Sequence, residues 1–150
     1  MKKFLLGLFL ILGVMSFAAP KFVDMTKVKN AGYVIKNERE DILTITTSDD
    51  DSAIIISFST ANISSKEISD LLKSNALRNS ENFITTLDNN RAYINEFEAQ
   101  GFYSYMIVPK KEKVKNQHTY ATYVSSKKLS KNDLSKITNA ILDEAESYIK

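Results

Sequence analysis

The chain has 150 residues, 25% charged and 43% apolar, the balance of a single globular domain rather than a disordered or fibrous chain. It contains no cysteine, one histidine and no tryptophan, and carries a formal charge of +2 from 20 Lys+Arg against 18 Asp+Glu. The missing cysteine excludes a disulfide scaffold, a thiolate metal site, a cysteine nucleophile and a lipoprotein acylated on cysteine.

Residues 1–18, MKKFLLGLFLILGVMSFA, read as a secretory signal peptide. Lys2 and Lys3 form a positive start, Phe4 to Phe17 an almost unbroken apolar run, and Ser16 and Ala18 the small residues at the −3 and −1 positions of a cleavage point after Ala18. Spanning a bilayer takes about 20 apolar residues, and this run is shorter. The expectation is an exported protein, periplasmic or secreted, with no stable membrane anchor after cleavage. Loss of Lys2 and Lys3 leaves 18 basic against 18 acidic residues, so the mature chain is formally neutral.

Residues 19–31 read as a polar lead-in segment of uncertain order, and 32–150 as one domain. The first strand is expected at Tyr33–Lys36. Two further strands are expected at Asp41–Thr47 and Ala53–Ser59, joined by the acidic stretch Ser48–Ser52 as a hairpin. Ser64 and Glu67 form a capping box, with Ile63 and Ile68 as a hydrophobic staple, which predicts a helix from about 64 to 77. Strands follow at Ile84–Leu87, Ala92–Ala99 and Phe102–Val108. Asn89-Asn90 and Gln100-Gly101 are the turn residues between them, because Asn and Gly tolerate positive φ. After the lysine-rich loop Lys110–Gln117 comes a last strand around Thr119–Ser125. Ser130 with Asp133, and Leu129 with Leu134, repeat the capping device. Leu134, Ile137, Ile141, Leu142, Ala145, Tyr148 and Ile149 then form one apolar helical stripe.

The order is β-β-β-α-β-β-β-β-α, an α+β fold. The expected architecture is an antiparallel sheet of six to seven strands flanked by two amphipathic helices, an α/β/α sandwich. Asn90-Arg91-Ala92-Tyr93 opening a long strand, Tyr120–Val124 in the last strand and the closing helix 131–149 give an order that resembles the PsbP-like fold. That fold is shared by extrinsic proteins of the oxygen-evolving photosystem, a nuclear Ran-release factor and many exported bacterial proteins. The resemblance covers most of residues 32–150 and implies a small non-enzymatic accessory or binding protein. It carries over no functional residue and implies no cofactor.

The chemistry-bearing residues are few. His118 is the single histidine, expected in a solvent-exposed loop or at a strand edge. No serine sits in a G-x-S-x-G elbow, and no Walker loop, G-x-G-x-x-G or H-E-x-x-H is present. Glu38 with Glu40, and Glu96 with Glu98, are carboxylate pairs at strand spacing, about 7 Å apart on one face. The expectation is the solvated face of an edge strand; a hydrolase using Glu96 and Glu98 is the catalytic alternative. Asp49-Asp50-Asp51 offers oxygen ligands but lacks the alternation, glycine and distal Glu of a calcium loop. It is expected as a solvated turn, and no metal site is assigned. The candidate binding surface combines Tyr103, Tyr105 and Tyr123 with Lys110, Lys111 and Lys113. Tyrosine joins a large apolar body to a polar tip, and the lysines make the loop locally basic. The opposing expectation for the tyrosines is core packing. The function expected is an exported, non-catalytic binding or accessory protein of the bacterial envelope, whose partner is a protein or small ligand and not a nucleic acid. A secreted adhesion or interaction factor is the alternative.

Overall fold

A computed structural model describes residues 18–150, with Asp88 described by its backbone alone. The leader expected over residues 1–18 lies, apart from Ala18, outside the described residues. Those described form α1 (Met25–Asn30), β1 (Val34–Arg39), β2 (Ile42–Ser48), β3 (Ser52–Thr60) and α2 (Ser65–Arg78). β4 (Asn82–Asp88), β5 (Ala92–Ala99), β6 (Phe102–Pro109), β7 (Gln117–Ser125) and α3 (Lys131–Ser147) complete the chain. One antiparallel sheet runs β1-β2-β3-β7-β6-β5-β4. It joins two meanders, β1–β3 and β4–β7, through nine residue pairs from Ser52↔Ser125 to Thr60↔Gln117. The fold is α+β, with each long helix on its own face of the sheet.

Local chemistry explains the turns. Ala99 pairs with Phe102, leaving a two-residue loop in which Gln100 and Gly101 both have positive φ, 53° and 81°. That is the primed turn whose twist suits a hairpin. The Asn89-Asn90 turn is built differently from the expectation, for neither asparagine has positive φ. Asn89 Oδ1 instead accepts the amides of Arg91 and Ala92 at 2.9 and 2.6 Å, an Asx turn. Asp49 does the same between β2 and β3, accepting the amides of Asp51 and Ser52 at 2.9 and 2.6 Å. The aspartate run is a turn, as its sequence suggested, and these N–H groups hold the Asp49 carboxyl below its usual range.

The helices start where their caps place them. Ser64 and Glu67 form the complete reciprocal box. Ser130 Oγ accepts the Asp133 amide at 3.1 Å, but the shorter Asp133 carboxylate bonds back to the Ser130 hydroxyl, at 2.7 Å. On one face Ile141, Leu142 and Ala145 of α3 pack on Ile45, Ile56, Ala121, Ile107 and Ile94. Each such fully buried aliphatic side chain stabilises by about 1.5–3 kcal/mol. On the other face α2 lies over β5 and β6. There the buried Asn95 donates to Ser69 Oγ at 3.0 Å and accepts from Thr86 Oγ1 at 2.8 Å. This fastens α2, β5 and β4 together without an unpaired polar atom on that side chain.

The segment 19–31 is built into this core rather than preceding it. Phe22, Val23 and Val28 are buried with the α3 stripe. Asp24 caps α1 through its own carboxylate. Val23 bridges Ile149, and the Lys150 amide donates to Phe22 O at 2.9 Å.

Candidate functional site

The pairing of β6 with β7 ends at Ile107↔Ala121, and residues beyond that pair line a cleft of about 250 Å³. Ser65 at the start of α2, Pro109 ending β6, Lys111 and Lys113 of the tip, His118 of β7 and Glu146 of α3 line it. The tip folds back on itself because Val114 bridges Gln117 while Asn116 adopts a left-handed φ of 64°. β7 therefore begins at Gln117, two residues earlier than its sequence suggested.

This shift accounts for His118, whose expected exposure is corrected: the residue is 3% exposed. Its Nε2 lies 2.9 Å from Ala61 O, and its Nδ1 lies 3.3 Å from Glu112 Oε1. The ring is thus held on both edges, by the chain following β3 and by the hairpin tip. Glu112, which sequence reasoning passed over, also accepts the Asn116 amide at 3.0 Å. The signal that could have found it is modest: a single acid among the loop lysines, a few residues before the only histidine.

The candidate surface residues divide into two groups at opposite ends of β6. Lys111 and Lys113 are exposed at the cleft, and neither forms an ion pair with a described residue. Lys110 is half-buried beside Tyr93, with Nζ 5.5 Å from the ring centroid, a cation–π arrangement. The tyrosines lie elsewhere. Tyr105 is 1% exposed, so it is a core residue and not part of an accessible surface. It stacks on Tyr123 with centroids 6.4 Å apart, and its hydroxyl accepts the Leu129 amide at 2.8 Å. Burial is the main cause that raises its pKa. Tyr103 and Tyr123 pack against the same core, partly buried.

The carboxylate pairs are not where a shared catalytic role needs them. β4, and not β5, is the sheet edge. Glu96, expected on a solvated edge strand, is 4% exposed, with Lys128 Nζ 3.6 Å from Oε1. Glu98 instead holds its hairpin, accepting from the Gly101 amide at 3.2 Å and from Asn82 Nδ2 at 3.5 Å. Neither glutamate lines the cleft. Among the described residues no group of three or more His, Asp or Glu is placed to hold a metal ion, and no helix is long and apolar enough to cross a membrane.

What the cleft offers is a wall held by hydrogen bonds and two exposed charges. The wall is His118, fixed by two partners. The charges are carried by Lys111 and Lys113, which are exposed and form no ion pair with a described residue, although Glu112 and Glu146 line the same cleft. Fold and site together define a small α+β sandwich with a cleft at one hairpin, lined by two lysines, two glutamates and the single histidine. No family model, no curated protein and no solved structure matches this chain.

Proposed function

We propose that the protein is an exported, non-catalytic binding or accessory protein of the bacterial envelope, and that it binds through the cleft at the β6–β7 hairpin. The observation that carries this reading is the placement of Lys111 and Lys113 at the rim of a cleft whose wall is fixed by His118. Exposed ammonium groups that form no ion pair with a described residue suit a carboxylate or phosphate group of a partner. The leader at residues 1–18 supports export. The order of elements supports a PsbP-like accessory role, and that kinship belongs to the same proposal.

The test compares wild type with the doubly charge-reversed variant Lys111→Glu/Lys113→Glu. Each is used to capture partners from the envelope extract of its own cells, with mass spectrometry as the readout. A partner retained by wild type and lost by the variant supports the cleft. A partner set indifferent to the reversal, or turnover on a hydrolase panel that disappears in Glu98→Gln, overturns the reading. Fractionation decides the place of action. Release by osmotic shock means the periplasm, and recovery from the medium favours the secreted interaction factor.

A further inference from the structure

The hydrogen bonds around the cleft close into a ring. His118 Nε2 meets Ala61 O at 2.9 Å, and the Ala61 amide donates to Asn116 O at 3.1 Å. The Asn116 amide donates to Glu112 Oε2 at 3.0 Å, and Glu112 Oε1 returns to His118 Nδ1 at 3.3 Å. The ring ties three pieces of chain: the residue after β3, the hairpin tip and the start of β7.

Hydrogen counting around this ring has one unusual result. A carbonyl oxygen only accepts, so Nε2 carries a hydrogen to make its bond with Ala61. The tautomer of a neutral imidazole is then fixed, and Nδ1 is a bare lone pair. It faces a carboxylate oxygen, which is also a bare acceptor when ionised. Two acceptors at 3.3 Å repel unless a hydrogen lies between them. With one proton present, the pair is either imidazolium–carboxylate or imidazole–carboxylic acid. Both forms are neutral overall and both make the bond.

We infer that the hairpin tip is clasped by a single proton shared between His118 and Glu112, and that loss of this proton to solvent loosens the tip and reshapes the cleft. When the proton leaves, the N–H···O link between Nδ1 and Oε1 is lost and a net negative charge stays beside a ring that is 3% exposed. Burial makes that costly. The groups around the pair come from every neighbouring element. Glu146 of α3 favours the proton, though its own charge is shared with Arg91 at 3.2 Å. Lys111 and Lys113 of the tip favour its loss. Ser65 of α2, Ser59 opposite on β3, and Gln117 and Thr119 beside His118 are uncharged. Asn116 is the place where release would show first, because both its N–H and its C=O are held in the ring. Opening takes place as pH rises and the shared proton leaves. Its use as a regulator rests on the cleft being the binding site proposed above; the clasp itself rests on the geometry of four residues.

Because the chain has one histidine, its ring nitrogen signals in an NMR pH series belong to His118 alone. The experiment follows those signals together with hydrogen-exchange protection of the Asn116 and Ala61 amides in the purified protein. The expected result is a drop of at least tenfold in both protection factors across the same pH step in which the ring signals move. In Glu112→Gln the side-chain amide donates to the bare Nδ1, so protection of the two amides should no longer follow the ring. Protection that stays flat through the ring's titration, or that keeps the same step in Glu112→Gln, overturns the clasp. The two proposals fail separately: a titrating clasp beside partner capture indifferent to Lys111→Glu/Lys113→Glu removes the binding site and leaves the clasp.

Discussion

Tyr148 closes the last helix with its ring edge-on to both Phe58 and Tyr33, centroids 6.5 and 6.1 Å away. Its hydroxyl donates to Glu144 Oε1 at 2.7 Å. Burial first, and then the Glu144 carboxylate, push the pKa of Tyr148 and of Tyr33 well above the usual phenol range. Tyr105 and Tyr120 are raised as well, chiefly by burial. The sign follows from linkage. A phenol raised in the fold contributes fully below the unfolded value of about 10, and that contribution drains away at higher pH because the unfolded chain ionises first. Ultraviolet titration should therefore show two phases, with these four tyrosines ionising late and together with alkaline unfolding; one smooth phase near the ordinary value would contradict it. Asn95 gives a second test at this scale. Asn95→Asp replaces the donor to Ser69 with an acceptor and brings a charge into a buried site, which should cost about 2–3 kcal/mol in denaturant unfolding. Single residues were also where sequence reasoning failed. Alternation placed Glu96 on a solvated face, but that face is the one the C-terminal helix covers. His118 was hidden because its burial depends on a loop that folds back upon it.

At the scale of elements, most of the fold was legible because the signals are local. The Ser64/Glu67 box starts α2, Ser130 starts α3, and Gln100-Gly101 makes a two-residue hairpin, all through atoms within a few residues of one another. The turn at Gly101 separates backbone preference from packing. Its φ is 81°, yet a β-carbon there would meet nothing within 4 Å. Gly101→Ala should therefore cost about 1–2 kcal/mol through backbone strain alone, with an unchanged denaturant slope. A much larger loss would mean that packing, not φ, holds the turn. The candidate surface was less legible for the same local reason. Tyrosines at strand spacing look alike in sequence whether a helix covers their face or not, and only the position of α3 distinguishes the two.

The whole molecule depends on contacts that no local signal announces. β3 and β7 are paired along nine positions although α2 and three strands separate them in the chain. The segment 19–31 is a similar case. Its apolar residues are scattered without a periodic pattern, yet Phe22, Val23 and Val28 are core and Ala19 and Met25 pack against it. Phe22 packs edge-on to Phe58, centroids 6.5 Å apart. Phe22→Ala should lower stability by about 3 kcal/mol, read as a shift in the urea midpoint; a shift near zero would make the segment an appendage. The docking of this segment by Tyr148, Ile149 and Lys150 has a temporal consequence. A chain emerging from its N-terminus presents Phe22 and Val23 long before the residues that receive them exist. Until Tyr148, Ile149 and Lys150 have been made, Phe22 and Val23 have no final place, so this part of the core closes only after the last helix has been synthesised.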